Sequence, residues 1–126
     1  MIYHITTRSE WQAAQKAGTY STPSLQTEGF IHNSTAAQVV NVGNAFYHNV
    51  QDCVLLCIDE TKVLSSIKWE PPAHPSLNNR VPLESEHGSE QLFPHIYGTL
   101  NLDAVLRVVD FAPDADGQYH LPEGIN

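Results

Sequence analysis

The chain has 126 residues, 41% of them apolar and 16% charged, which fits one folded domain and excludes a disordered or low-complexity chain. Fourteen acidic against six basic residues give a formal net charge of −8; DNA is excluded and RNA disfavoured as partners, because nucleic-acid binding draws on a basic surface that displaces counterions. No apolar run approaches the ~20 residues that span a bilayer, and "MIYHITTRSEW" has neither the basic start nor the apolar stretch of a secretory signal, so no membrane partner is expected.

Residues 2–6, "IYHIT", alternate as a strand does, with Ile2, His4 and Thr6 on one face and Tyr3 and Ile5 on the other. Thr7 and Glu10 have capping-box spacing and Gly18 is a good stop, so a helix is expected over 8–17 with Trp11 and Ala14 turned inward. "TYSTPSLQTE" reads as an irregular connector around Pro23. Phe30 and Ile31 form a short strand. Ser34 or Thr35 then caps a helix to about residue 48, whose stripe of Ala36, Val39, Val40, Gly43, Phe46 and Tyr47 has helical spacing.

"DCVLLCID" is a continuous apolar run, expected to be a central strand covered on both faces. Cys53 and Cys57 would share one face about 13 Å apart at ~3.3 Å per residue, too far for a disulfide. Both read as small buried hydrophobes, in keeping with a reducing, cytoplasmic setting. "ETKVLSS" is a turn or a single helical turn, and "IKWE" is a strand stopped by Pro71 and Pro72. Residues 71–91 form a long polar loop, a candidate lid. "LFPHIYG" is a short strand with Pro94 at its start or at a sheet edge. "VLRVVDF" is a strong strand. The tail, 113–126, has a turn at Asp116–Gly117, forms a last hairpin and then frays. The expected architecture is one α+β domain over 1–126, with its core at about 2–112.

Seven histidines occur, and three of them, His4, His32 and His95, lie inside short apolar strands. A lone strand histidine is ordinarily a half-buried polar group with a backbone partner. These three each share a face with a hydroxyl or phenol two residues on (Thr6, Ser34, Tyr97), which points to a shared site. Three neutral imidazoles and a water make a workable zinc set, but no HxH, HxxxH or HExxH pair is present. There is also no GxGxxG, GxxxxGK[ST] or GxSxG. Nucleotide binding would instead use imidazoles on ribose, with the helix start at Ser34–Thr35 near phosphate.

The strings "YHITT", "GFIHNST", "KWEPP" and "FPHIYGTLNL" follow in that order over residues 2 to about 112. They resemble the signatures of a small bacterial family, domain-of-unknown-function family 952, grouped by distant similarity with the ADP-ribosyltransferase superfamily. The resemblance implies a split, curved mixed β-sheet, with two helices in the N-terminal half, that clasps NAD in a cleft. It implies that His4 holds ribose and that His32 packs at the nicotinamide end, with Ser34 beside it. The third position is a glutamate in transferases that modify proteins. Here it falls on "FPHIYG", which offers His95 and Tyr97 and no carboxylate. Breaking the nicotinamide–ribose bond builds an oxocarbenium-like cation that a carboxylate stabilises, so this departure matters. Glu70 is the one carboxylate near a strand end able to enter the cleft.

The catalytic set implied is therefore His4, His32, His95, Tyr97 and Glu70, and the NAD-binding set His4, Thr6, His32, Ser34 and Thr35. RNA 2′-phosphate transfer, known in some relatives, relies on several arginines, whereas this chain has only Arg8, Arg80 and Arg107. The implied function is binding of NAD or a related ADP-ribosyl nucleotide, followed by transfer or hydrolysis of that group, with the protein acceptor unknown. The alternatives are a non-catalytic nucleotide or small-anion sensor and a three-histidine zinc site.

Overall fold

The structure is a computed structural model that describes residues 1–71 and 92–125. The candidate lid, Pro71 apart, lies outside the described residues. Strand β1 (Ile2–Thr7) leads into helix α1 (Arg8–Ala17). Thr7 accepts the Glu10 N–H, and Gly18, at φ 88°, ends the helix by returning its own N–H to Ala14. The expected irregular connector instead holds β2 (Thr19–Tyr20) and a short helix, α2 (Pro23–Thr27). Pro23 sits in the first turn of α2, where its missing N–H has no partner to lose, so it starts a helix rather than preventing one.

Then follow β3 (Ile31–His32), α3 (Ala36–Phe46), β4 (Cys53–Ile58) and a 3₁₀ turn at Glu60–Lys62. Next come β5 (Ser66–Glu70), β6 (Phe93–Tyr97), β7 (Leu100–Asn101), a second 3₁₀ turn and β8 (Val105–Asp110).

The strands form two three-stranded sheets, β1-β4-β8 and β3-β6-β5, and a two-stranded pair, β2-β7. The α+β class holds. Every pairing among the described strands is antiparallel, in place of the implied mixed sheet. A parallel pair needs a crossover that returns the chain to the same end, and these partners run back against each other. Pro94 lies in a middle strand, not an edge strand. It is tolerated there because β3 pairs only with Ile96 and His95 and stops short of it.

Alternation along β4 builds the core in two layers, as the run "CVLLCI" suggested. Val54, Leu56 and Ile58 face Ile2, Ile31 and Ile96, while Cys53, Leu55 and Cys57 face Tyr3, Val39 and Phe111. Both cysteines are buried and free. The tail does not fray. Tyr119 stacks on Phe111 at 4.6 Å and donates its hydroxyl to the Tyr47 carbonyl at 2.9 Å, and Ile125 is buried in the same layer. Burying those two apolar side chains holds the tail down. Among the described residues, no helix is long and apolar enough to cross a membrane.

Candidate functional site: a histidine-lined cleft

Strand β1 is an outer strand of its sheet. Tyr3 and Ser34 exchange two backbone hydrogen bonds of 2.8 Å each, which tie β1 to the chain just after β3. Beyond this bridge a cleft of about 790 Å³ opens between β1, α1, β2, α2, β3, β6 and the end of α3, which supplies Val42 and Tyr47. That volume suits a nucleotide-sized molecule. Since Tyr3 turns its N–H and C=O away from β4, strand alternation turns those of Ile5 the same way, along the cleft.

His4 is nearly buried at the cleft wall, with 7% of its surface exposed. Its Nδ1–H is donated to the His32 carbonyl at 2.5 Å, and its Nε2 lies 2.8 Å from the Tyr20 hydroxyl. That hydroxyl lies 2.9 Å from Thr6 Oγ1, which lies 2.9 Å from Glu10 Oε1. Burial pushes His4 down to about 4, with the His32 carbonyl and the Glu10 charge only partly opposing it. Burial also pushes the Tyr20 phenol up. The Glu10 side chain is thus turned to Thr6 and not back to the N-cap, so only half of the expected capping box forms.

A second cluster covers one face of the β3-β6-β5 sheet, opposite the buried Ile31 and Ile96 and the partly buried Ile67. The His95 ring stacks on Phe30 at 4.0 Å and meets His32 edge-on at 5.5 Å. Glu70 Oε1 accepts from His95 Nδ1 at 2.7 Å and from the Tyr97 hydroxyl at 2.6 Å. Those two bonds hold the Glu70 carboxyl below its usual range, Tyr97 first, and the same bond pushes the Tyr97 phenol up. Burial pushes His95 down, against the pull of Glu70. With Nδ1–H given to Glu70, His95 Nε2 carries the lone pair, a geometry suited to accepting a proton. His32 Nε2 stands 3.2 Å from each carboxylate oxygen of Glu28.

His4, Thr6, His32, Ser34 and His95 all border this one cleft. Glu70 and Tyr97 do not border it but hold His95, which does. Thr35 stands apart from the cleft wall. Its N–H is taken by Gln38 Oε1 at 2.9 Å, which begins α3 and leaves that group no ligand to hold. The three-histidine zinc site does not form: among the described residues, no group of three or more His, Cys, Asp or Glu is placed to hold a metal. Four of the six ring nitrogens of His4, His32 and His95 are engaged instead by the His32 carbonyl, Tyr20, Glu70 and Glu28.

Three cleft residues lay outside the sequence reading of the site. Tyr20 sat in the supposed connector and gave no signal. Glu10 was legible only as a cap. Asn33 donates Nδ2 to the carbonyls of Ile31 and Pro94 at 2.9 and 3.2 Å, while its buried Oδ1 has no partner among the described residues.

The His95–Glu70 contact sets a pH signature. A histidine lowered from 6.5 in the folded state contributes stability that is full above 6.5 and declines as pH falls toward its folded value. Glu70→Gln removes the charge that opposes the lowering, so the window widens downward. Between neutral pH and about pH 5, the variant is expected to lose more unfolding free energy than the parent in urea titrations. Equal losses would show that Glu70 does not set the state of His95.

A family model described as a protein of unknown function, DUF952, matches residues 5–108. The fold is similar to two crystal structures of the Caulobacter crescentus protein CC0527, one of them a double mutant. Each matches with a TM-score of 0.75 at 30% identity, over 95% of this chain and 93% of that one. A solution structure of CC0527 matches with a TM-score of 0.64 at 29% identity, over 95% and 91% of the two chains. No curated protein matches the chain.

Proposed function

The chain belongs to the DUF952 family, whose description carries no activity, and we propose that its cleft binds NAD or a related ADP-ribosyl nucleotide. The observation that supports this reading is the meeting of imidazoles from three separate strands, β1, β3 and β6, on one nucleotide-sized hollow. In this reading His32 and His95 face the nicotinamide end, beside the outward N–H and C=O of Ile5. His4, both of whose nitrogens are already engaged, shapes the wall rather than gripping ribose itself.

The rim carries the hydroxyls of Thr19, Ser21, Thr22 and Ser24, and no Lys or Arg among the described residues borders the cleft. The pyrophosphate is therefore held by neutral donors, Ser21 first among the rim hydroxyls, because Thr19 and Ser24 donate to the Leu100 and Phe30 carbonyls and Thr22 to Ser24.

Glu70, supplied from β5, answers the carboxylate missing from the third strand. Held ionised by Tyr97 and His95, it orients His95 to take the proton of an acceptor hydroxyl during transfer or hydrolysis. One observation favours the sensor reading without turnover: Oε1 of Glu70 is engaged twice, by His95 and by Tyr97, which weakens it as a partner for a ribosyl cation.

Titration of the labelled protein with NAD and with ADP-ribose tests the binding. Selective amide shifts at Ile5, His32 and Ser34 are expected, and no shift at millimolar ligand would remove the proposal. Release of free nicotinamide from NAD then separates a catalyst from a sensor.

A further inference from the structure

The chain of contacts from His4 to Glu10 carries a proton count of its own. His4 Nε2, Tyr20 Oη, Thr6 Oγ1 and Glu10 Oε1 follow one another at 2.8, 2.9 and 2.9 Å. Each hydrogen bond takes one proton, so these three links take three. The Tyr20 and Thr6 hydroxyls supply one apiece. His4 has committed its Nδ1–H to the His32 carbonyl, which can only accept. A neutral imidazole and an ionised carboxylate therefore add nothing, and one link would set two lone pairs face to face, in a chain whose first two links are buried and whose last is part-buried. An unmade hydrogen bond there costs about 1–3 kcal/mol.

We propose that His4, Tyr20, Thr6 and Glu10 hold one further proton in common, and that Glu10 is the acid–base group through which it reaches the cleft. Two arrangements make all three links. With the proton at the histidine end, Nε2–H points to Tyr20, the Tyr20 O–H to Thr6, and the Thr6 O–H to the carboxylate. With the proton at the other end, the Tyr20–Thr6 link reverses from the direction it has in the structure, where Tyr20 donates: the Glu10 O–H points to Thr6, the Thr6 O–H to Tyr20, and the Tyr20 O–H to Nε2. Passing between them moves one proton across each link and changes no oxidation state. Giving the proton to a hydroxylate or ring nitrogen in the cleft leaves Glu10 ionised and His4 neutral, its Nδ1–H still on His32.

The burial pattern sets the direction of exchange. His4, Thr6 and Tyr20 are buried at 7%, 3% and 3% exposure, whereas Glu10 is exposed and borders the cleft. The groups facing His4 are Glu10 from α1, Tyr20 from β2 and His32 from β3. Glu28 lies on the far side of the His32 ring, and His95 with Glu70 lies beyond.

The test uses the protein without ligand, so its outcome is independent of the nucleotide reading. Side-chain NMR follows the ring nitrogens of His4 and the carboxyl carbon of Glu10 against pH. In the parent protein the two probes are expected to share one midpoint. Thr6→Val and, separately, Tyr20→Phe cut the chain and are expected to part the midpoints by about one pH unit or more. Glu10→Gln supplies the third proton permanently from its carboxamide, so the His4 ring nitrogens should show no step at the parent's shared midpoint. Separate midpoints in the parent, a common midpoint that neither cut disturbs, or parent-like titration of His4 in Glu10→Gln would each overturn the proposal.

Discussion

Leu56→Ala is expected to lower unfolding stability by about 2–5 kcal/mol, the usual range for truncating a fully buried leucine. Leu56 has no exposed surface, lies in the central strand β4, and packs in the layer of Ile2, Ile31 and Ile96. It is also the residue paired with His4 across β1 and β4, so the cavity opens beneath the cleft wall. Leu55, its equally buried neighbour, pairs with Ile5 and belongs to the opposite layer. Leu55→Ala should cost a similar amount but act on the other wall of the cleft, where its layer supplies Tyr3, Ile5, Val42 and Tyr47. Urea unfolding measures both losses, and amide shifts at His4, His32 and Tyr20 should distinguish them. If the two variants shifted His4, His32 and Tyr20 equally, the two-layer description of the core would be wrong.

His4→Ala should be nearly as damaging and should also strike function. It strips the His32 carbonyl and the Tyr20 hydroxyl of a partner at once and leaves a cavity, together on the order of 3 kcal/mol. The His32 carbonyl then loses its tie to β1, and the Tyr3–Ser34 bridge is left to hold that segment, so nucleotide affinity is expected to fall roughly tenfold or more, the equivalent of one lost hydrogen bond. Urea unfolding and NAD titration of the same variant measure the two effects. Parent-like stability together with parent-like binding would remove His4 from any account of the cleft.

Much of the fold was legible because its signals are local. Alternation in "IYHIT", the Thr7 and Gly18 caps, the helical stripe from Ala36 and the unbroken run "CVLLCI" each act within a few residues. The features that escaped are those without such a signal. Residues 19–20 are too short for a period to show, and they become a strand only because Leu100 and Asn101 pair with them. The tail carries turn residues throughout, yet Tyr119 docks on Phe111, a contact made by the packing of β8.

The site divides in the same way. That His4, His32 and His95 occupy strands beside hydroxyls could be read from residue order, since side-chain direction in a strand follows from its period of two. Their partners could not. Tyr20 is 16 positions from His4, the His32 carbonyl 28, and Glu70 is 25 positions from His95. Glu70 reaches His95 because β5 pairs with β6 in one register, Lys68 opposite His95 and Glu70 opposite Phe93. A shift of one residue would turn it to the other face. Residue order alone thus determined which side chains sit in strands and helices and which way they alternate. Strand pairing and burial decided which groups touch, because register is selected by packing the whole apolar face and not by any short stretch of chain.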